Sequence, residues 1–205
     1  MRTTWSVMAC MLLAATMASA AQISSLYGDL NCFNLTGVTS CPDGSLWETQ
    51  LGGVFFMDYR TPQEKAANSV ADIWFGPGSI TWQMPSYSDA GATSATLVMR
   101  FAGIAEIAPA GGYTVLFDGT SIGTIPMNTN PNAYQEVLTY TYNVPVNLLN
   151  GADKIAISTG KDGYIMAYAQ LTVNTGASGV PEPATFGLLL AGAAALGAAK
   201  LRKLV

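Results

Sequence analysis

Carboxylates are the side chains in this sequence best suited to carry out a reaction. Asp58, Glu64 and Asp72 come nearest to a cluster along the chain. Two carboxyl groups about 5–10 Å apart in a cleft can hydrolyse a glycosidic bond. Nothing in the sequence fixes the separation of these three, and charged loop residues are usually just solvated. A carbohydrate-active enzyme is therefore the alternative prediction, and a protein with no catalytic residues is the primary one.

Histidine does not occur anywhere in the 205 residues. It is the commonest general base and the commonest metal ligand, so Ser-His-Asp, Cys-His and histidine-based zinc sites are excluded. A structural calcium ion is compatible with the sequence, because calcium is held by carboxylates and backbone carbonyls. No Asp-x-Asp run indicates such a site. The sequence therefore assigns no cofactor and no metal ligand.

Two cysteines, Cys32 and Cys41, lie outside the apolar segments at the chain ends. In an oxidising compartment their spacing predicts one local disulfide. Closing so small a loop would stabilise the fold by about 2–3 kcal/mol. The alternative, a free or metal-binding thiol pair, lacks further ligands nearby.

Aromatic side chains offer a way to bind sugars, because an apolar ring face stacks on a sugar ring while the polar edge stays in water. Trp74 and Tyr87 are the candidates for sugar stacking. Trp82 alternates with Ile80 and Met84, so it is assigned to the core. A carbohydrate-binding module is thus a further alternative function.

The elements that must position these residues are mostly strands. Apolar and polar residues alternate from Asp72 onwards, which is the pattern of strands with one buried face. Asp118-Gly119 predicts a type I′ hairpin turn between two of them. The predicted fold is all-β, an antiparallel β-sandwich. Its strands are expected at residues 80–84, 97–101, 113–117, 120–125, 138–146, 155–157 and 165–173.

The segment before residue 72 is the least regular part of the sequence. Thr61 and Pro62, followed by Glu64, have the pattern of a helix start with Thr61 as the N-cap. One or two helical turns are expected there. The apolar run over residues 51–57 predicts a short buried strand.

The first 20 residues have the layout of a secretory signal peptide. Arg2 supplies the positive charge, an apolar run follows, and Ala18-Ser19-Ala20 forms a site for signal peptidase. The apolar run is about half the roughly 20 residues needed to span a bilayer. We therefore expect an N-terminal signal helix that is removed on export.

The other end begins with Val180-Pro181-Glu182-Pro183, continues without charge over residues 184–199 and finishes with a basic cluster. A helix of this length rises about 24 Å, short of the roughly 30 Å hydrocarbon core, and inserts with local thinning of the bilayer. Basic residues beyond it belong in the cytoplasm. The pattern predicts a C-terminal transmembrane helix with the rest of the chain outside.

This order of motif, short apolar helix and basic end resembles the PEP-CTERM sorting signal of Gram-negative bacteria. The resemblance covers about the last 26 residues, with three basic residues where an arginine cluster is usual. It implies that the membrane enzyme exosortase recognises the tail and cuts near the motif. The implied fate is a membrane-anchored precursor and then a protein at the cell surface or in the extracellular matrix, often beside exopolysaccharide.

The stretch from Tyr113 to Val173 resembles the second half of a galactose-binding-like jelly roll. The resemblance rests on the Asp118-Gly119 hairpin and on the Leu148-Leu149-Asn150-Gly151-Ala152-Asp153 turn between two strands. It implies a jelly-roll-like sandwich. Because a fold does not imply a function, no binding residue is carried over.

The predicted organisation is a signal peptide (1–20), an extracellular β-sandwich domain (21–175), a linker with the VPEP motif (176–183) and the PEP-CTERM helix with its basic tail (184–205). Residues 22–175 hold five basic and twelve acidic residues, a net charge of −7. An acidic surface repels phosphate backbones, so no nucleic-acid partner is expected. The expected function is that of a non-catalytic surface or matrix protein associated with polysaccharide.

Overall fold

The computed structural model describes residues 20–104, 106, 108–109, 111–158 and 163–176. Residues 21–176 form one compact unit. The predicted signal helix, sorting motif and C-terminal helix lie outside the described residues. Within the described ranges, no helix is both long enough and apolar enough to cross a membrane.

Strands dominate the described part of the chain. One antiparallel sheet has the order β1-β9-β4-β7, with β2 paired to the start of β9, and a second has the order β3-β8-β5-β6. The bounds are β1 (Gln22–Gly28), β2 (Trp74–Phe75), β3 (Ser79–Gln83), β4 (Ala92–Ala102), β5 (Tyr113–Phe117), β6 (Thr120–Ile125), β7 (Val137–Val144), β8 (Lys154–Ser158) and β9 (Tyr164–Thr175). One short helix, α1 (Pro62–Ala66), and two 3-10 turns (Ala133–Gln135 and Val146–Leu148) accompany them.

The main hydrophobic core contains residues from both sheets. Leu97 and Met99 of β4 share one buried cluster with Val115 of β5 and Ile157 of β8, and all four are 0% exposed. Burial alternates residue by residue along β3 and β5, as it must when one face of a strand is covered. The predicted all-β, antiparallel class is confirmed, and the two sheets pack on one core as in a β-sandwich.

A second hydrophobic cluster, which we call the outer layer, covers the opposite face of the five-stranded sheet. Trp47 is fully buried in it, and its ring centroid lies 4.9 Å from that of Phe55 and 5.6 Å from that of Tyr59. Ile165 of β9 belongs to the same cluster. The irregular segment over residues 29–72 therefore packs onto the sheet instead of forming a loop in solvent.

A β-bulge divides the side chains of β9 between the two clusters. Arg100 pairs with Tyr168 and Phe101 pairs with Met166, so Ala167 is the extra residue. An extra residue shifts the period-two alternation of a strand by one position. Ile165 and Ala167 consequently join the outer layer, whereas Ala169, Leu171 and Val173 join the main core.

Two local predictions are confirmed. The Thr61 hydroxyl accepts a hydrogen bond from the Glu64 N–H at 3.2 Å, and Glu64 Oε2 accepts one from the Thr61 N–H at 2.8 Å, which is a capping box at the start of α1. Asp118 (φ 47°) and Gly119 (φ 80°) join β5 to β6, and a type I′ turn requires a positive φ at both positions.

The disulfide is also confirmed. Cys32 and Cys41 are bonded, and their Cα atoms are 5.6 Å apart. Each is 2% exposed, within the outer layer. The bridge therefore closes a loop that packs on the sheet, rather than an exposed loop.

The buried strand predicted for residues 51–57 is wrong. This stretch is irregular, with a turn at Phe55 and Phe56, and Val54, Phe56 and Met57 are all exposed. Phe56 has a φ of 69°, which is outside the region that strand residues adopt. The strand predicted to reach residue 146 ends at Val144, because Pro145 leads into a 3-10 turn.

Candidate functional site

Three carboxylates converge beside the outer layer. Asp29, Glu64 and Asp72 each bring one oxygen within 4.8 Å of the other two, and we call this group the carboxylate cluster. Asp29 follows β1, Glu64 belongs to α1 and Asp72 precedes β2. Of the trio proposed from the sequence, Glu64 and Asp72 are brought together. Asp29 takes the place predicted for Asp58.

Asp72 is the enclosed member of the cluster, with 0% of its surface exposed. Its N–H donates to the Met166 carbonyl at 2.6 Å, and its own carbonyl accepts from the Tyr59 N–H at 2.8 Å. These contacts hold it at a φ of 54°. Neither carboxylate oxygen has a hydrogen-bond partner among the described residues. Burial raises the pKa of Asp72 to about 9, and the nearby charges of Asp29 and Glu64 add to the shift.

Glu64 divides its two oxygens between two environments. Oε2 accepts hydrogen bonds from the N–H and the hydroxyl of Thr61, both at 2.8 Å, as part of the capping box. Oε1 is buried and has no partner in the described part of the chain. One oxygen of Glu64 thus fixes the side chain, and the other is left for a ligand.

Asp29 is held by the polar residues that follow it. The Asn31 amide donates to Oδ2 at 2.7 Å, and the Asn31 N–H donates to Oδ1 at 3.3 Å. Asn34 donates from its own N–H to the Asn31 side chain and from its amide to the Tyr59 carbonyl, both at 2.9 Å. Burial raises the pKa of Asp29, with the Asn31 hydrogen bond opposing the shift. Hydrogen bonds therefore connect Asp29 to the backbone segment that also positions Asp72.

Asp58 lies outside the cluster because Arg60 binds it. The Arg60 guanidinium donates to both Asp58 oxygens at 2.9 Å, and Lys65 Nζ lies 3.7 Å from Oδ2. The hydrogen bond from Arg60 lowers the pKa of Asp58 to about 2. Among the described residues, no ion pair with Lys or Arg includes a member of the carboxylate cluster.

The cluster offers only oxygen atoms, so its chemistry is limited to holding a proton or a hard cation, or to acid–base catalysis. Oxygens within 4.8 Å of one another place the three carboxyl groups close enough for acid–base chemistry of the glycosidase kind. Asp72, however, presents no surface to a substrate. Asp29, Glu64 and Asp72 are the described residues that could bind a metal ion.

The two aromatic candidates lie in different places. Trp74 is half-buried in β2 and packs in the outer layer, with the Phe56 ring centroid 4.6 Å from its own. Tyr87 follows β3 and packs against the main core, and its hydroxyl donates to the Asp153 carboxylate. Phe56, which is not among the residues predicted to stack on sugars, is 74% exposed beside Trp74.

Residues 179–203 match the family model of the PEP-CTERM protein-sorting motif. The chain thus carries the motif predicted from Val180-Pro181-Glu182-Pro183. Such a motif implies an exported protein that is processed by exosortase. No curated protein matches the chain in sequence.

Several solved structures are similar to part of this chain. A beta-porphyranase of glycoside hydrolase family 86 from the human gut bacterium Bacteroides plebeius is 16% identical, with a TM-score of 0.39, over 52% of this chain and 20% of that one. Dimeric latent PorU from Porphyromonas gingivalis is 13% identical, with a TM-score of 0.37, over 49% of this chain and 11% of that one. A family 35 carbohydrate binding module from an environmental isolate is 24% identical, with a TM-score of 0.32, over 49% and 68%. The chain spans a fifth or less of the first two proteins.

Proposed function

We propose that this exported chain is a non-catalytic protein of the Gram-negative cell surface or extracellular matrix, associated with exopolysaccharide. The sorting motif at residues 179–203 carries the proposal, because it marks the chain for export and exosortase processing. A single compact β unit, residues 21–176, precedes it. The predicted signal peptide and C-terminal helix supply the membrane-anchored precursor that exosortase acts on.

We propose the absence of catalysis because of the burial, hydrogen bonding and ion pairing of the carboxylates. A glycosidase needs both of its carboxyl groups to contact the substrate in a cleft. Asp72 is fully buried, and one oxygen of Glu64 is engaged in the capping box. Asp58 is paired with Arg60 and sits apart from the cluster. This arrangement suits a structural role better than hydrolysis.

Contact with polysaccharide is proposed for Trp74 and the exposed residues next to it. Phe56 presents 74% of its surface to solvent, and Val54 and Met57 are exposed on either side of it in sequence. Aromatic rings with an open face bind sugars by stacking. Tyr87 stays a second candidate, through the part of its ring that is not packed on the core.

Sorting is tested in the native bacterium by mass spectrometry of the protein in membrane and surface fractions. The wild-type chain is expected in the surface or matrix fraction without its Leu204-Val205 terminus. A variant with Pro181→Ala, Glu182→Ala and Pro183→Ala is expected to stay in the membrane fraction at full length. Ser178→Ala, which lies just outside the matched residues, is the control and is expected to sort normally. Identical fractionation of the triple variant and the wild type would contradict the proposal.

Binding and catalysis are separated with the protein purified from that surface fraction. We expect it to bind matrix polysaccharide on a glycan array and to release no reducing sugar. Phe56→Ala is expected to weaken binding, whereas Tyr134→Ala, another exposed aromatic, is not. Reducing-sugar release that Glu64→Gln abolishes would show an enzyme instead.

A further inference from the structure

A buried carboxylate without a partner is costly, because a charge removed from water needs a compensating charge or hydrogen bonds. Asp72 is 0% exposed and both of its oxygens lack partners among the described residues, as does Glu64 Oε1. These atoms belong to the same group of carboxylates as Asp29. The basic residues nearest in sequence, Arg60 and Lys65, are directed to Asp58. The cluster therefore has unused ligand capacity, and no Lys or Arg among the described residues forms an ion pair with any of its members.

The cluster suits calcium better than magnesium. Its three carboxylate oxygens lie within 4.8 Å of one another, close enough for one cation to contact all three. Calcium accepts about six to eight oxygen ligands at about 2.3–2.6 Å in flexible geometry, whereas magnesium demands a near-regular octahedron at about 2.0–2.1 Å. Side chains that come from three separate places, after β1, in α1 and before β2, meet the flexible requirement more readily.

We propose that Asp29, Glu64 and Asp72 bind one calcium ion that fastens the outer layer to the sandwich. Asp29 and Asp72 stand at the two ends of the irregular segment, and Glu64 comes from the helix within it. The Asn31–Asn34–Tyr59 hydrogen bonds already hold Asp29 near the backbone of Asp72. The ion would hold the three carboxyl groups together at the point where the segment leaves β1 and returns to β2.

The test uses the exported chain from its host, stripped with EDTA and titrated with calcium chloride by calorimetry at neutral pH. We expect one calcium ion per chain, with a Kd of about 10⁻⁴–10⁻³ M or tighter, the range of extracellular modules. Magnesium chloride is expected to bind at least about tenfold more weakly. Calcium at about 100 times its Kd is expected to raise the Tm by roughly 5–10 °C.

Three variants assign the binding to the cluster. Asp72→Asn keeps the side-chain shape and tolerates a positive φ, and Glu64→Gln keeps an acceptor for the capping box. Each is expected to bind calcium at least about tenfold more weakly than the wild type, because each variant replaces one charged carboxylate ligand by a neutral amide. Glu48→Gln removes an exposed carboxylate elsewhere and is expected to bind calcium like the wild type.

Two results would overturn the proposal. One is the absence of both calcium-dependent heat and a Tm shift in the EDTA-stripped wild type, which would mean that a proton alone balances the cluster. The other is unchanged calcium affinity in Asp72→Asn and Glu64→Gln, which would place the ion elsewhere.

Discussion

Asp72 combines a tightly fixed backbone with a carboxylate that no described side chain neutralises. Its N–H and carbonyl are both hydrogen-bonded, whereas its two carboxylate oxygens are buried without partners. At the scale of single residues, this contrast has a measurable consequence in the metal-free protein.

We predict that Asp72→Asn gains stability relative to the wild type as the pH rises from about 4 towards 9. In the folded chain the pKa of Asp72 is raised to about 9, while an unfolded Asp titrates near 3.9. The contribution of Asp72 to the unfolding free energy of the wild type is therefore fully present below about pH 4. It is lost as the pH rises towards 9. The difference in unfolding free energy between Asp72→Asn and the wild type changes by at most about 1.4 kcal/mol per pH unit.

Urea unfolding of both proteins in EDTA, at about pH 5 and about pH 8, measures this difference. Asn has the shape of Asp and occurs readily at positive φ, so the exchange changes little but the charge. An equal difference in unfolding free energy at the two pH values would mean that the Asp72 pKa is not raised.

The sequence predicted two of the three cluster residues. Asp29 was missed because its partners, Asn31 and Asn34, form a polar turn that the pattern of strands and helices does not register. Asp58 was grouped with the others by proximity along the chain. Arg60, two residues later, was the available signal that this carboxylate would be paired.

At the scale of elements, α1 depends on its cap. It has five residues and buries none of them, so packing contributes little to it. The capping box of Thr61 and Glu64 was predictable because every atom involved lies within four consecutive residues.

We predict that Thr61→Ala lowers the free energy of unfolding by about 1 kcal/mol, the usual loss when an N-cap side chain is removed. Thr61→Ser keeps the hydroxyl and is expected to lose much less. Chemical denaturation of the two variants and the wild type provides the comparison. Equal losses for Ala and Ser would show that the methyl group of Thr61, and not its hydroxyl, is what matters.

The strand β1 was not predicted. Its residues do not alternate clearly between apolar and polar, and its partner β9 lies at the other end of the domain, with Gln22 paired to Asn174. Pairing over so long a separation leaves no local trace in the sequence. The switch of the buried side chains of β9 from one face to the other could not be predicted for the same reason. The bulge that causes it is defined only by the register of β9 against β4.

We predict that Gly28→Ala, at the end of β1, destabilises the protein far more than Gly37→Ala. Both glycines have nearly the same φ, 79° and 78°. A Cβ at Gly28 would lie 2.3 Å from the Ala167 carbonyl oxygen, whereas one at Gly37 would meet nothing within 4 Å.

The positive φ alone costs about 1–2 kcal/mol at either position, and the clash at Gly28 adds roughly 1–3 kcal/mol. Urea unfolding of the two variants isolates the steric contribution, because the conformational cost is common to both. Similar losses of unfolding free energy in the two variants would mean that β9 can move away at Ala167 without destabilising the fold.

At the scale of the whole molecule, the sandwich carries an added layer that the disulfide helps to close. We predict that Cys32→Ser with Cys41→Ser lowers the free energy of unfolding by about 2–3 kcal/mol, from the loop that the bridge closes. Thermal unfolding with and without a reducing agent measures it. Reductant should shift the wild-type Tm downwards and leave that of the double variant unchanged.

The outer layer marks the limit of what composition and periodicity could predict. The sandwich core follows from alternation in β3 and β5, and the disulfide follows from two isolated cysteines. The layer itself is held by Trp47 and its ring contacts in a segment without regular secondary structure. Such packing has no period, so only the fold brings its residues together.

The chain enters and leaves the sandwich at one point, since the Thr175 N–H donates to the Ala21 carbonyl at 2.9 Å. β9, which ends there, is paired on both sides, to β1 and to β4. A mechanical load applied at residue 176 against the body of the domain would pull β9 lengthwise, so that its ladder bonds resist together in shear. A load applied between residues 20 and 176 would instead peel β1 from β9 one bond at a time. Residues 21–176 are therefore expected to withstand a larger force when it is applied at residue 176 against the body of this unit than when it is applied between residues 20 and 176.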